Sequence, residues 1–201
     1  MADKNKILIL AGDTDGNLGD RAIVSSMCQE FRRINPCVKI TIISENSKPD
    51  SKLYDVKVIK RGIHGLPSLI KAARESDLIF CGGGGLFQDD DSLVKMPYWA
   101  LRLLFVRFFC KTIIGYSLGV GPLRKTISRI FAKLAFACMK HISVRDPKAK
   151  VTAQDLTSKP VRIVPDPALI LPIKSGNNIK QLLRAKNVPL DGTPIVGVAL
   201  R

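Results

Sequence analysis

Short apolar runs alternate with segments of helical periodicity along most of the chain, and this alternation restricts the fold more than any other feature. The first run, residues 6–11, is continuously apolar after its leading lysine, which is typical of parallel strands covered on both faces. Strands are predicted at residues 6–11, 38–44, 54–59, 77–81, 112–116, 141–144, 161–164 and 195–200. Helices are predicted at residues 20–33, 67–74, 99–109, 126–140, 148–155 and 179–186. This order predicts an α/β fold with a Rossmann-like, doubly wound and mostly parallel sheet.

The sequence pattern changes after residue 171, and this change predicts a domain boundary. Residues 1–171 contain most of the predicted sheet, and residues 172–194 have the character of a linker with a short helix. The run at 195–200 is typical of a buried parallel strand, and such a strand needs a sheet around it. We expect residues 195–201 to begin a truncated second domain. The alternative is that this strand closes the first sheet.

The charge balance is strongly basic. Lys and Arg number 32 against 17 Asp and Glu, a net charge of +15, which favours nucleic acid, an anionic membrane surface or phosphorylated small molecules as partners. The five cysteines are scattered without CxxC pairs, and there are two histidines. This usage is typical of free thiols in a cytoplasmic protein, so we predict no disulfide framework and no metal site. No secretory signal is recognisable.

The most apolar stretch, residues 99–110, contains Arg102 and Arg107. It spans about 12 residues, whereas a helix that crosses a membrane needs roughly 20 mostly uncharged ones. We predict a helix that packs on the core. The alternative is an interfacial helix whose arginines meet anionic lipid.

Four consecutive glycines, Gly82, Gly83, Gly84 and Gly85, directly follow the predicted strand at 77–81. Ligands of open α/β sheets bind at the carboxyl ends of the strands, where glycine lets the backbone approach an anion closely. Gln88 and Asp89 come next and are expected to face the same crevice. The glycines are therefore predicted to form a ligand-binding loop. The alternative is a tight connection without a ligand.

Other predicted strands end in similar clusters. The first strand leads into Asn17, Gly19 and Asp20, without the spacing of a dinucleotide fingerprint or a P-loop. The remaining clusters contribute Ser117 and Gly119, then Arg145 and Asp146, then Asp166. An arginine at this place suits a carboxylate or a phosphate, which its guanidinium binds bidentately. Two structural alternatives remain: Asp20 as a helix cap, and Arg145 with Asp146 as a surface pair or helix cap.

Five ordered motifs give the chain a resemblance to a known family. They are Asn17-Leu-Gly-Asp20, Gly82-Gly-Gly-Gly-Leu-Phe-Gln-Asp89, Ser117-Leu-Gly-Val-Gly-Pro122, Ser143-Val-Arg-Asp146 and Asp166-Pro-Ala168. In order and approximate spacing they resemble the polysaccharide pyruvyl transferase family, and residues 196–201 look like the first strand of that family's second domain. The resemblance implies the first half of a GT-B-like enzyme with two Rossmann-like domains and the active site between them.

The resemblance also implies a reaction and a set of site residues. The reaction is transfer of pyruvate from phosphoenolpyruvate onto a sugar as a ketal, in exopolysaccharide or cell-wall polymer biosynthesis, with no cofactor besides phosphoenolpyruvate as co-substrate. The expected catalytic residues are Asp20, Asp89 and Arg145. The expected substrate-binding residues are Asn17, Gly19, Gly82, Gly83, Gly84, Gly85, Gln88, Ser117, Gly119, Asp146 and Asp166. Two positions depart from the family pattern: Arg21 stands where an acidic residue is expected, and Ser117 stands where glutamine is common.

The expected partners are phosphoenolpyruvate and a sugar or lipid-linked saccharide acceptor, without nucleic acid. We expect a cytoplasmic protein with peripheral association at the inner membrane face. Two other functions remain open at this stage. A GT-B glycosyltransferase would use a nucleotide-sugar, and a non-catalytic module would use the positive charge to bind nucleic acid. Against the second, the aromatic residues are few and are not interleaved with Lys and Arg as stacking platforms are.

Overall fold

The computed structural model of the chain describes residues 6–12, 17–45, 47–90, 92–110, 112–172, 176–188, 190 and 196–198. The chain divides into two units, Met1–Leu171 and Pro172–Arg201. The described strands all belong to the first unit, and one described helix, Gly176–Ala185, belongs to the second.

The first unit alternates strands with helices as the sequence predicts. The strands are β1 (Lys6–Leu10), β2 (Lys39–Ser44), β3 (Lys57–Lys60), β4 (Leu78–Phe87), β5 (Ile113–Val120), β6 (His141–Val144) and β7 (Val161–Ile163). The α-helices are α1 (Leu18–Ile34), α2 (Ser47–Tyr54), α3 (Leu66–Glu75), α4 (Lys95–Arg107), α5 (Thr126–Cys138) and α6 (Pro147–Gln154), and the helix of the second unit is α7. Short 3₁₀ helices lie at Ile63–Gly65 and Pro167–Ile170.

The seven strands form one parallel sheet in the order β3-β2-β1-β4-β5-β6-β7. This order confirms the predicted Rossmann-like, doubly wound fold. Successive strands are added on one side of β1 up to β3 and on its other side from β4 onward. The switch point therefore lies between β1 and β4, which pair with Ile9 opposite Phe80. A crevice opens at such a switch point outside the carboxyl ends of the strands, and it is the usual ligand site of the fold.

Both faces of β1 are covered, which explains why this strand is apolar after its leading lysine. In β1, Ile7 and Ile9 pack on the face covered by α1, whereas Leu8 and Leu10 pack on the opposite face with α3, α4, α5 and α6. After β7, the 3₁₀ helix Pro167–Ile170 packs against α1, and its Ala168 joins the core on that side. The segment that follows the last strand therefore returns to the neighbourhood of the first helix.

Two predicted strands end later than expected, and one helix was not predicted. The glycines after residue 81 are not a loop: β4 continues through them to Phe87, and β5 likewise continues to Val120, because the two strands remain paired along this stretch. Helix α2 was missed, since its segment is polar and contains a proline; it is held by a hydrogen bond from Ser44 Oγ to the buried Asp50 carboxylate.

The last predicted strand falls mostly outside the described residues. Residues 196–198 of the run at 195–200 are described, and they are not assigned to a strand.

Candidate functional site

The start of α1 brings Asp20 to the switch point. Asn17 is the helix N-cap, because its side-chain oxygen accepts from the N–H groups of Gly19 and Asp20 at 2.8 and 3.4 Å. Asp20 therefore lies in the first turn and is not the cap, so the capping alternative is wrong for this residue. An acidic side chain is favourable there because it interacts with the positive end of the helix dipole.

The glycine tract of β4 passes directly beside the Asp20 carboxylate. A methyl group at Gly84 would come within 2.5 Å of Asp20 Oδ1, and one at Gly12 would come within 2.5 Å of Oδ2. Gly83 and Gly84 also have φ of +76° and +91°, which residues with a Cβ rarely adopt. The sequence therefore has glycine where a carboxylate touches the backbone of two neighbouring strand ends.

The remaining glycines of the tract are also closely surrounded. A methyl group at Gly82 would overlap the Tyr116 carbonyl oxygen at 1.9 Å, and one at Gly83 would overlap the Ile23 side chain at 2.0 Å. A methyl at Gly85 would meet Gln88 Oε1 at 2.6 Å, so the Gln88 side chain folds back onto the tract. Close packing of β4 against β5 requires glycine at residue 82 and that of α1 against β4 requires it at residue 83, whether or not a ligand is bound.

Arg145 lies beside Gly119 of β5, the strand that pairs with the glycine tract. It follows β6, and a methyl group at Gly119 would lie 3.2 Å from its Cζ and 2.8 Å from the Gly84 carbonyl oxygen. Its guanidinium faces two carboxylates, with Nε 3.5 Å from Asp146 Oδ2 and Nη1 3.8 Å from Asp166 Oδ2. The Arg145 side chain is 39% exposed, so it is held in place and still open to solvent.

Each of these two aspartates also fixes a helix start. Asp146 Oδ1 accepts from the Ala149 N–H at 2.8 Å as the N-cap of α6, and Asp166 Oδ1 accepts from the Ala168 N–H at 3.0 Å at the 3₁₀ helix. One oxygen of each carboxylate therefore holds backbone while the other faces Arg145. The surface-pair alternative for Arg145 and Asp146 is thus present in the structure, together with a second carboxylate that it did not include.

A bulge in β5 shapes the backbone next to Gly119. Ser117 is fully buried with φ of +48°, its N–H donates to Ser143 Oγ at 3.0 Å, and its own Oγ donates to the Pro165 carbonyl oxygen at 3.2 Å. Ser143 Oγ in turn donates to the Gly115 carbonyl oxygen at 3.1 Å. Ser117 therefore links the strand to the segment that carries Asp166, and its role toward a substrate stays a prediction.

Sequence reasoning gave no role to Ser143, which it named only as the first residue of a motif, or to Gly12. Ser143 stands in the middle of a short apolar strand, and no spacing rule connects it to a bulge in the neighbouring strand. Gly12 comes two residues after β1, and its position after a strand at a switch point was a usable signal.

Asp89 has a different environment from Asp20. Its side chain is buried, and its two oxygens accept from the N–H groups of Arg124 and Lys125 at 2.9 and 2.8 Å. Desolvation raises the pKa of Asp89, but these hydrogen bonds outweigh it, so the pKa lies below the usual aspartate value. The Asp89 N–H also donates to the Pro122 carbonyl oxygen at 3.1 Å. Asp89 thus fastens the end of β4 to the segment that enters α5, and its catalytic role stays a prediction.

The structure therefore brings Asp20, Gly84, Gly119, Arg145 and Asp166 into one chain of contacts at the carboxyl edge of the sheet. The ends of the first, fourth and sixth strands therefore meet at this edge. Asn17, Gly19 and Gln88 lie beside the same edge. In the part of the chain that the structure describes, no group of three or more His, Cys, Asp or Glu side chains is placed to hold a metal ion. The described helices include none long and apolar enough to cross a bilayer.

The similarity of this chain to known proteins is limited to solved structures and one family model. The comparison with curated proteins found no match. Among solved structures, a Rossmann-fold NAD(P)-binding family protein from Shigella flexneri aligns over 99% of this chain and 100% of its own, with 14% identity and a TM-score of 0.46. The family model for polysaccharide pyruvyl transferases matches residues 17–196, a range that includes Asp20, the glycine tract and Arg145. The chain therefore belongs to the polysaccharide pyruvyl transferase family, a family of transferases.

Proposed function

We propose that this protein transfers the pyruvyl group of phosphoenolpyruvate to two hydroxyls of a sugar as a ketal, in exopolysaccharide or cell-wall polymer biosynthesis. One observation carries the proposal most directly. The Asp20 carboxylate lies against Gly84 and the Arg145 guanidinium lies against Gly119, and these two glycines are packed together on the neighbouring strands β4 and β5. A group that accepts protons thus lies near a group that binds anions, at the usual ligand site of the fold.

Arg145 supplies the anion-binding end of the site. Its guanidinium forms two parallel hydrogen bonds with a carboxylate or a phosphate, and phosphoenolpyruvate carries one of each. Asp146 and Asp166 orient the guanidinium, and their distances of 3.5 and 3.8 Å leave these contacts weaker than close hydrogen bonds. A bound anion therefore competes with loosely held partners when it approaches Arg145.

The reaction balances without an oxidant or a reductant. A proton adds to the methylene carbon of phosphoenolpyruvate, and one sugar hydroxyl attacks the cationic carbon and loses its proton. The C–O bond to phosphate then breaks, and a second hydroxyl attacks and loses its proton. The reaction consumes two protons, one at the new methyl group and one at the released phosphate. The two sugar hydroxyls supply two protons, so the balance closes. No cofactor is required besides phosphoenolpyruvate as co-substrate.

Asp20 is better suited than Asp89 to accept a hydroxyl proton. Asp20 is partly accessible beside the glycine tract, whereas Asp89 is buried. The lowered pKa of Asp89 also makes it a weaker base. We therefore propose that Asp20 deprotonates or orients the acceptor, and that Asp89 positions the segment leading into α5.

The family also suggests where the acceptor binds and where the protein works. We propose a GT-B-like enzyme in which a second Rossmann-like domain closes over the carboxyl edge and completes the site. The acceptor is a sugar or a lipid-linked saccharide, and the reaction takes place in the cytoplasm. The five recognition motifs all lie in the first unit, which supports its role as the half that carries Asp20 and Arg145.

The test is phosphate release from phosphoenolpyruvate by the full-length protein, with saccharide acceptors and ³¹P NMR detection. The Arg145→Lys variant keeps the charge but loses the bidentate geometry, so turnover should fall about ten- to a hundredfold. Its melting temperature should change little, because partly exposed ion pairs contribute little to stability. Arg162→Lys, at an exposed arginine of β7, is the matched control and should keep full turnover.

Two outcomes would contradict the proposal. A stable Arg145→Lys variant with unchanged phosphoenolpyruvate turnover would remove Arg145 from the site. Activity with a nucleotide-sugar and none with phosphoenolpyruvate would instead identify a glycosyltransferase on the same fold.

A further inference from the structure

Helix α4 is apolar on the side that faces away from the sheet as well as on the side that packs against it. Met96, Trp99 and Leu103 are buried in the core. On the outer side, Leu101 is 58% exposed, and Phe108, directly after the helix, is 85% exposed. A helix that is apolar all round is normally covered on all sides, so the outer side of α4 is a candidate contact surface.

Helix α5 extends this surface. It packs against α4, and both helices lie on the same face of the sheet, so their outer sides form one layer. Ile127, Ile130 and Leu134 of α5 are all exposed and follow helical spacing along one stripe. We call the outer sides of α4 and α5, together with Phe108, the α4/α5 face. Large exposed apolar residues that are grouped on neighbouring helices mark a site of interaction with another protein or a membrane.

The charge around the α4/α5 face indicates what covers it. Residues 92–145 contain no Asp or Glu and ten Lys or Arg, although the whole chain has 17 acidic residues. Arg107, Lys125 and Lys133 are exposed on or beside these helices. Arg102 is not among them, because it lies over the Tyr98 and Trp99 rings and donates to Tyr98 Oη at 2.5 Å. The surface is therefore apolar and exclusively basic.

A second copy of this chain is a poor occupant, because two such faces would bring like charges together as they bury their apolar residues. An anionic bilayer supplies both a negative surface and an apolar layer below it. Exposed isoleucine, leucine and phenylalanine enter that layer, while lysine and arginine remain at the headgroups. Helices of 13 residues are suited to lie in the interface and not to span it.

We propose that the α4/α5 face is a peripheral docking surface for an anionic lipid bilayer. The proposal rests on this surface and does not depend on the reaction proposed above. Both helices begin after β4 and β5, so one end of the α4/α5 face lies toward the carboxyl edge that holds the candidate site. Docking there would hold the site near acceptors that are anchored in the membrane.

The experiment is sedimentation of the full-length protein with vesicles of phosphatidylcholine alone or mixed with phosphatidylglycerol. Binding should require phosphatidylglycerol and weaken as salt rises. The double variant Arg107→Glu/Lys133→Glu should lose about 25-fold or more in partition coefficient, since each basic group near the surface is worth about fivefold. Leu101→Glu/Phe108→Glu should lose about tenfold or more, because two apolar anchors are replaced by charges.

Matched controls lie on the opposite side of the sheet. Ile34→Glu changes an apolar residue of α1 that is 73% exposed, and Lys52→Glu reverses an exposed charge of α2; both should bind as the unmodified protein does. Circular dichroism melting confirms that each variant is folded. Equal binding to both vesicle types, or equal losses in variants and controls, would overturn the proposal. Sedimentation equilibrium showing a dimer that Leu101→Glu/Phe108→Glu dissociates would assign the face to a second copy.

Discussion

Replacing Asp89 by asparagine separates a structural role from a catalytic one. In the folded protein, Asp89 Oδ1 accepts from the Arg124 N–H at 2.9 Å and Oδ2 accepts from the Lys125 N–H at 2.8 Å. Asparagine has nearly the same shape but offers one oxygen and one NH₂ group. In Asp89→Asn, one of the two backbone N–H groups therefore faces another donor, and the remaining hydrogen bond loses its charge.

The size of the effect follows from these contacts. Loss of one hydrogen bond to a charged group costs about 1.5–3 kcal/mol, and the buried position of Asp89 gives little solvent compensation. We expect Asp89→Asn to lower the free energy of unfolding by about 2 kcal/mol. For a unit of this size that corresponds to a fall of about 4–8 °C in melting temperature.

The stabilisation should also depend on pH in a defined direction. The pKa of Asp89 is lowered in the folded protein, so its carboxylate stabilises the fold fully above the unfolded value of about 4. This contribution is lost as the pH falls through the folded pKa. The difference in stability between the unmodified protein and Asp89→Asn should therefore narrow as the pH falls from about 7 to about 3.

Urea denaturation across that pH range measures the difference, and phosphate release from phosphoenolpyruvate is followed on the same samples. Asp90→Asn is the matched control, because Asp90 is the exposed neighbour and its substitution should leave stability nearly unchanged. A stability difference that does not vary with pH would refute the hydrogen-bond reasoning. If Asp89→Asn were as stable as the unmodified protein but lacked turnover, Asp89 would be a catalytic base and not a structural residue.

Three further predictions concern other parts of the fold. Gly84→Ala should cost about 1–3 kcal/mol of stability and displace Asp20. The new methyl group would meet the Asp20 carboxylate at 2.5 Å, and alanine is strained at the φ of +91° that residue 84 adopts. A variant with normal stability and turnover would contradict this. Lys159→Met should lower stability by about 1–2 kcal/mol, seen in urea unfolding, since the ammonium caps three carbonyl groups at the end of α5. Among the five thiols, Cys37 should react fastest with a thiol reagent at about pH 8, because it is exposed. Burial raises the pKa of Cys81 to about 12, so this thiol should react slowly. Rapid labelling of Cys81 in the native protein would count against its burial.

The sequence determined the fold class because a parallel sheet covered on both faces leaves a local signal. The continuous apolar run of β1 needs no tertiary information to be recognised, and neither does the helical period of α5. The same pattern placed Asn17, the glycine tract and Arg145 after strands, and parallel strands necessarily deliver such residues to one edge. The family resemblance also lay in the sequence, since the motifs are local and ordered.

The lengths of the strands and the partners of the side chains could be determined only from the tertiary structure. Glycine has low strand propensity, so the tract reads locally as a loop, yet pairing with β5 keeps it within β4. Helix α2 is polar and contains a proline, and only the buried contact of Asp50 with Ser44 and the burial of Tyr54 explain it. Local propensity was overridden in both places by contacts between residues distant in sequence or on different elements.

The different environments of Asp20 and Asp89 were likewise determined by the tertiary structure. In the sequence, Asp20 and Asp89 are equivalent carboxylates that follow predicted strands. The fold gives Asp89 two backbone N–H donors from the segment before α5, 35 and 36 residues away, and leaves Asp20 against the glycine backbone at the switch point. A sequence specifies which groups reach an edge of the sheet, but hydrogen bonding to a carboxylate is a property of the assembled structure, because the donors come from other elements.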